Sequence, residues 1–561
     1  SASDASVTHG PAHTSGRSEG STAMRINKVV AALGAVTLVG SAAACSGGGG
    51  DTDSGSGTGS SMSSGGTYSV AELEPKHLIP ARTSGSPTDQ LNALFANLTK
   101  VNADGKLVNV HAKSVESSQG GKVWTIKLKP GWTFHNGQTV TARSYVRAWN
   151  TAAYGPNAWV DGGQFANILG YSALNPESGK PTTKKMSGLK VADKYTIKVT
   201  LSKPDSQFPL ELTTNAYLPM PKVAFKDLKA YDEAPIGDGP YKMVGKWEHN
   251  QQIVVERYDD YKGEVGKADK ITFKIYTNDH AAYVAAQANQ VDIISIGQAD
   301  YIQAKQTFGD NFIAFDAPAI DYLGFPLYSD EYFGDKRVRK AISMAINRKA
   351  INKAIFGGVN TPATSILPPA EVGAPTDLCD YCTFDPEKAR SLLAAAGGWH
   401  GPLVIWYPSG AGYKQMFEAI GNQLRQNLGI EDIKYHTAPF TPFLQSLTDQ
   451  KVENGLYRGH WGAYYPSMKN TLEALFVKDG PGHNGTWYDD PEVSRLIAKG
   501  NAAPSLDKAA DSYVQAEKKI IEDVAVVPLF YAKYVYAHTD AVSNVIIDVN
   551  QVEVSKVVVN Q

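Results

Sequence analysis

The stretch "GPLVIWYPSGAGYKQMFEAIGNQLRQNLGIEDIKYH", Gly401 to His436, decides the fold class. "GPLVIWYPSG" is a short apolar run bounded by Gly and Pro and reads as a strand. In "YKQMFEAIGNQLRQNLG", Met416, Phe417, Ile420, Leu424 and Leu428 fall on one helical stripe, and Gly429 is placed to stop it. "IEDIKYH" is a strand again, "TPFLQSLTDQ" a short helix, and "GLYRGHW" begins as a strand. This β-α-β-α-β order favours a parallel sheet with right-handed crossovers. In such sheets ligands bind beyond the carboxyl ends of the strands. The last strand runs into "YRGHWGAYYPS", Tyr457 to Ser467, too polar for a core strand and too aromatic for an ordinary surface loop. The pattern places Trp461, Tyr464 and Tyr465 in a ligand crevice.

Upstream the chain is richer in β-structure. "KVWTIKLKPGWTFHNGQTVTARSYVRAWN" predicts a strand from Val123 to Leu128 and an Asn136-Gly137 turn. Thr141 is placed to cap a helix carrying Val146 and Trp149. "KYTIKVTLSKP", "QIVVERYDDY" and "KITFKIYTND" alternate as further strands. Leu91, Leu94, Phe95 and Leu98 recur at helical spacing, and "RVRKAISMAINRKAINKAIFGG" predicts one amphipathic helix ending at Gly357-Gly358. "SYVQAEKKIIEDVAVVPLFYAKYVYAH" predicts a long helix followed by an apolar, aromatic strand.

The 561 residues suit three or four lobes, and 42% apolar with 20% charged residues suffices for ordinary cores. A net charge of −2 and the lack of a basic run with interleaved aromatics point away from nucleic acid. Residues 1–23 are read as an upstream extension, expected to be disordered, with Met24 the expected start. "MRINKVVAALGAVTLVGSAAAC" has the layout of a secretory signal: Arg25 and Lys28, an apolar run from Val29 to Val39, then small residues up to Cys45. That run is shorter than the roughly 20 residues needed to span a bilayer. Residues 46–66, "SGGGGDTDSGSGTGSSMSSGG", read as a flexible tether.

Five segments in order resemble the family 5 extracytoplasmic solute-binding proteins of ABC importers, of oligopeptide and dipeptide type. They are "WTIKLKPGWTFHNGQTVTARSYVRAW" (Trp124 to Trp149), "PIGDGPYKM" (Pro235 to Met243), "FGDKRVRKAISMAINRKAI" (Phe333 to Ile351), "FDPEKARSLLAAAG" (Phe384 to Gly397) and "EKKIIEDVAVVPLFY" (Glu517 to Tyr531). "SAAAC" likewise resembles a lipobox, which implies a signal peptide over 24–44, lipidation at Cys45, and a tether over 45–66 at the outer face of the cytoplasmic membrane, facing a periplasm or the cell surface. The resemblance implies an α/β, periplasmic-binding-protein type II-like two-lobe fold with an additional accessory lobe. Lobe I would comprise 67–103, 230–322 and 530–561, the accessory lobe 104–229, and lobe II 323–529. It further implies a monomeric receptor with no enzymatic activity and no cofactor, serving an ABC permease and its ATPase subunits. Solutes other than plain oligopeptides remain open: an N-blocked or modified peptide, an oligosaccharide, a metal chelate. So does a role as a surface peptide sensor.

Peptide binders of this family resemble Arg-x-x-Trp-x-Ala-Asp here, the aspartate pairing with the peptide's α-amino group and the arginine able to meet its carboxylate. This chain keeps Arg458, Trp461 and Ala463 but has Tyr464 at the aspartate position. A phenol cannot supply the missing charge. Either another acid takes the role, Asp321 beside Tyr322 at the expected lobe crossing being one candidate, or the ligand lacks a free amino terminus; Arg82 and Thr83 in "ARTSGSP" (Ala81 to Pro87) are candidates for reaching the cleft. His460 reads as a hydrogen-bonded loop histidine rather than a metal ligand. Cys379 and Cys382 in "CDYC" read first as a structural disulfide, since zinc would need two further ligands that no second CxxC or His pair supplies. No GxSxG elbow, HExxH or Walker A loop points to catalysis.

Overall fold

The computed structural model describes residues 65–83, 89–329, 333–410, 412–478, 484–549 and 551–560. The expectations for residues 1–64, Cys45 included, and for the Ala81–Pro87 loop beyond Thr83 lie outside them.

Alternation forms the strands. Val123–Leu128 buries Val123, Trp124, Ile126 and Leu128 and is the inner partner of Ala112–Ser118 and Thr196–Thr200; Leu189–Asp193 completes this four-stranded antiparallel sheet. The helix Ala142–Ala153 packs on it. Its start is closed as expected, with Ser144 Oγ accepting the Thr141 N–H at 3.2 Å. Trp149 is wholly buried there, its indole donating to the Tyr217 carbonyl at 3.0 Å.

Among the described residues the largest sheet has eleven strands. At one end lies the β-α-β-α-β unit. Leu403–Pro408 runs parallel to both Ile433–Ala438 and Gly455–Gly462, and the helix Tyr413–Leu428 makes the first crossover. Gly429 ends that helix at φ 70°, its N–H on the Arg425 carbonyl at 3.0 Å, a left-handed cap that glycine adopts without strain. At the other end lie Thr67–Leu73, Lys270–Tyr276, Gln252–Arg257 and Tyr241–Met243. Two long antiparallel strands, Phe312–Gly324 and Val526–His538, join the ends. Their register slips between Asp316 and Ile320. On one side of the slip, Ile320, Leu323, Leu529 and Phe530 pack with Ile405, Phe417 and Leu456. On the other, Phe315, Tyr534 and Tyr536 pack with Val70, Ile253 and Phe273. One pair of strands thus serves two hydrophobic cores.

Two helices differ from expectation. The single helix over "RVRKAISMAINRKAINKAIFGG" is two, Lys336–Met344 and Arg348–Phe356. Asn347 caps the second, its side chain accepting the Ala350 N–H at 3.0 Å. The break turns Arg348 inward, where its guanidinium donates to the carbonyls of Pro528 (2.7 Å), Cys382 (3.0 Å) and Ser343 (3.1 Å). The helix suggested by Leu91, Leu94, Phe95 and Leu98 stops at Leu94. Ala96 gives its N–H to Asp238 Oδ1 at 3.1 Å, and Gly237 and Gly239 press on the backbone of Ala93–Phe95. A Cβ on Gly237 would lie 1.7 Å from the Leu94 carbonyl oxygen, so only glycine fits. Cys379 and Cys382 are disulfide-bonded within the Ile320–Tyr531 core.

Candidate functional site

The site is built on the pairing of Phe312–Gly324 with Gly455–Gly462. Leu323 stands opposite Arg458, Tyr322 opposite Gly459, Asp321 opposite His460, and Ile320 opposite Trp461. Side chains alternate between faces along a strand. Asp321, Arg458 and His460 therefore share one face, and Tyr322 and Trp461 the other. Glycine at 459 is what admits the Tyr322 ring, since a Cβ there would lie 2.1 Å from it.

On the first face, Arg458 Nη2 donates to Asp321 Oδ1 at 3.3 Å, and His460 Nδ1 lies 2.9 Å from the same oxygen. The guanidinium carbon sits 4.5 Å from the centroid of the Tyr413 ring, a cation–π contact. Tyr413 opens the helix that follows Leu403–Pro408, at the carboxyl end of that strand. Arg458 is nine-tenths buried, and its Nε has no hydrogen-bond partner. Burial alone would raise the Asp321 pKa. His460 and Arg458 outweigh it and hold the carboxyl below the usual range. Asp321 is thus ionised but compensated by these two partners.

On the second face, the Trp461 indole donates to Asn470 Oδ1 at 3.2 Å, and Tyr464 meets it edge-on, centroids 6.2 Å apart. Tyr464 is 70% exposed, a large ring offered to solvent beside Trp461. Tyr465 turns instead to another core, its hydroxyl donating to Glu211 Oε1 at 3.2 Å. The same loop is tied further on by Ser467 Oγ to Gln207 Oε1 at 2.9 Å, and the first turn of the helix after it, Met468–Phe476, by an ion pair between Lys469 and Asp205. At its start, the Ala463 N–H bonds the Pro318 carbonyl at 2.8 Å, within the register slip. Burial and the nearby Asp205 push Glu211 up to about 8.

The structure thus brings Asp321 and Arg458 together, with Tyr322, Trp461, Tyr464 and Tyr465 on the same strand pair or its continuation. Arg82 and Thr83 stand apart: Arg82 faces Asp232 at 3.7 Å, Thr83 is buried, and no bond links either to the other candidates among the described residues. His460 is hydrogen-bonded as expected, to Asp321, but lies on the strand Gly455–Gly462 and not in a loop. Sequence reasoning missed Tyr413 and the Gln207–Glu211 segment. Tyr413 was discoverable as the first helical residue after a strand of the parallel unit; Gln207 and Glu211 carry no local signal. Among the described residues no three His, Cys, Asp or Glu side chains come together to hold a metal, and no helix is long and apolar enough to cross a membrane.

A family profile described as bacterial extracellular solute-binding proteins, family 5, middle region, matches residues 106–483. The chain is 25% identical over 476 residues to the oligopeptide-binding protein OppA of Bacillus subtilis, covering 82% of this chain and 86% of that one. It is 24% identical over 483 residues to the periplasmic murein peptide-binding protein MppA of Escherichia coli, covering 82% and 86%. Among solved structures, the unliganded open form of the murein tripeptide binding protein MppA superposes with a TM-score of 0.80 at 20% identity, covering 89% of this chain and 98% of that one. Haemophilus influenzae OppA in complex with the peptide RPPGFSPFR superposes with a TM-score of 0.63 at 21% identity, covering 89% and 100%.

Proposed function

The chain belongs to the bacterial extracellular solute-binding proteins of family 5, and from that premise we propose that it is a lipid-anchored receptor that captures oligopeptides between two lobes and delivers them to an ABC import permease with its ATPase subunits. The observation that carries the peptide assignment is Arg458, a guanidinium nine-tenths buried with an unpartnered Nε, backed by Tyr413 and steered by Asp321. Arginine presents a planar fork of donors matched to a carboxylate, the group every unblocked peptide carries at one end. On the opposite face of the strand pair, Trp461 and the exposed Tyr464 offer a separate aromatic surface with a polar tip, suited to side chains of varied sequence.

Capture works through the two long strands. Lobe I (67–103, 230–322, 530–561) and lobe II (323–529) exchange chain there, with 104–229 as the accessory lobe. The register slip at Asp316–Ile320 is a place where the strands can bend without breaking a regular ladder. A solute touching residues on both sides of the slip favours the closed arrangement by its differential affinity. Cys45 carries the anchor at the outer face of the cytoplasmic membrane, and the receptor works as a monomer.

A second reading concerns the ligand's amino end. Tyr464 brings no charge, and Asp321 is compensated by Arg458 and His460. A site whose carboxylate is already compensated gains little from a free ammonium, which favours N-blocked or N-modified peptides alongside free ones. A thermal-shift screen with short free peptides, the same peptides N-acetylated, and oligosaccharides tests both readings, since a bound ligand stabilises by RT ln(1 + [L]/Kd). Equal shifts with free and acetylated peptides are expected. No shift with any peptide, or a shift with saccharides alone, sinks the peptide assignment.

A further inference from the structure

We propose that Asp205, Gln207 and Glu211 are positioning residues of the ligand site: they clamp the Tyr464–Ser467 loop and the first turn of the helix Met468–Phe476 to a second hydrophobic core, so that ligand affinity depends on a junction between cores. The proposal rests on the reading of Trp461–Tyr465 as part of the ligand site. The segment from Asp205 to Glu211 adjoins the core of Trp124, Phe208, Leu212 and Tyr217. Met468 and Leu472, on the helix that follows the loop, belong to the core of Ile405 and Phe417.

Four polar links cross between them: Tyr465 to Glu211, Ser467 to Gln207, Lys469 to Asp205, and Ser206 to the backbone of Gly500 and Asn501, its Oγ and its N–H each at 2.8 Å. The Asp205 and Lys469 side chains are 1% and 12% exposed. Further bonds brace the seam. Lys469 lies 3.8 Å from Glu473, Asn501 Nδ2 donates to Glu473 Oε1 at 2.7 Å, and Tyr217 Oη donates to Glu211 Oε2 at 3.1 Å.

The chemistry of this seam suits a contact that can be made and unmade. A permanent junction is held as well by apolar packing, and a buried ion pair adds little stability over it. Charged and amide groups specify one alignment, and they recover their hydration when the seam parts, where an apolar seam would expose a sticky face. The loop is also held at both ends: Ala463 on the Pro318 carbonyl in the register slip, Tyr465 to Lys469 on the second core. A ligand that moves Trp461 and Tyr464 therefore pulls on the slip and on the seam together.

Hydrogen–deuterium exchange on the full chain, comparing wild type with Gln207→Leu and Asp205→Asn, tests this without ligand. Exchange across residues 464–470 should quicken roughly tenfold in Gln207→Leu, the scale of one lost hydrogen bond to a buried group, and by more in Asp205→Asn, which leaves the Lys469 ammonium buried without its carboxylate, while the strands Leu403–Pro408 and Ile433–Ala438 stay as in wild type. The affinity of a pool of short free peptides should fall by a similar roughly tenfold factor. Unchanged exchange at 464–470, quickening in step with the two strands, or quickening with unchanged peptide affinity would each overturn the proposal. Failure of the pool to bind wild type would refute the peptide assignment, and the exchange result would still decide the clamp.

Discussion

Replacing Asp321 with Asn should destabilise the protein near neutral pH and leave it close to wild type in acid. The carboxylate faces Arg458 at 3.3 Å and His460 at 2.9 Å. Asparagine keeps the shape and an acceptor but removes the charge, leaving the Arg458 guanidinium buried and uncompensated. An exposed pair is worth about 0–1 kcal/mol, and stripping one partner from a fully buried pair costs about 3–5 kcal/mol. The side chains here are 10% and 19% exposed, between those limits but nearer the second. A loss of about 3 kcal/mol follows, or a fall in Tm of about 3–6 °C for a chain this large. The sign of the pH dependence is fixed by Asp321 being held below the ordinary carboxylate range. A depressed pKa contributes stability above the unfolded value of about 3.9, and that share is lost as pH falls through the folded value. Tm should be recorded by calorimetry at closely spaced pH values from neutral into acid. The gap between wild type and variant should be full near neutrality and close below the unfolded pKa. A gap independent of pH, or none at any pH, would refute the ion-pair reasoning.

Three further outcomes are expected. Gly237→Ala puts a Cβ 1.7 Å from the Leu94 carbonyl and should cost about 3 kcal/mol or prevent folding, read from the urea midpoint and from soluble yield. Asp238 is pushed up to about 8 by burial, so its stabilising share is whole below the usual carboxylate range and is lost as pH rises from there through about 8; Asp238→Asn, keeping the acceptor for Ala96, should flatten the decline in Tm between about pH 4 and 8. Arg458→Met should weaken binding of a free peptide by roughly tenfold or more, the scale of a charge-assisted hydrogen bond, and titration calorimetry would show whether it does.

Local patterns were legible wherever neighbours in sequence decide the outcome. The Val123–Leu128 strand, the Thr141 cap, the Gly429 stop and the parallel unit around Tyr413–Leu428 all follow from alternation, helical stripes and turn residues. The helix break at Ala345–Asn347 was not, because what turns Arg348 inward includes the Pro528 carbonyl, far away in the chain. The Leu94 helix end depends in the same way on Gly237 and Asp238. In the candidate site, the odd spacing of Arg458 and Trp461 already implies opposite faces of a strand. That Asp321 would lie against Arg458 depends on the register of two strands more than a hundred residues apart, which alternation alone leaves open. The seam between Glu211 and Tyr465 is longer-range still.

Native mass spectrometry of the full chain with a degenerate pool of short free and N-acetylated peptides, comparing wild type with Arg458→Met, tests the central claim most directly. Peptide-mass adducts on wild type, from both halves of the pool and largely lost in the variant, are the predicted result. A wild type that carries no peptide, or adducts that persist equally in the variant, would contradict a peptide receptor centred on Arg458.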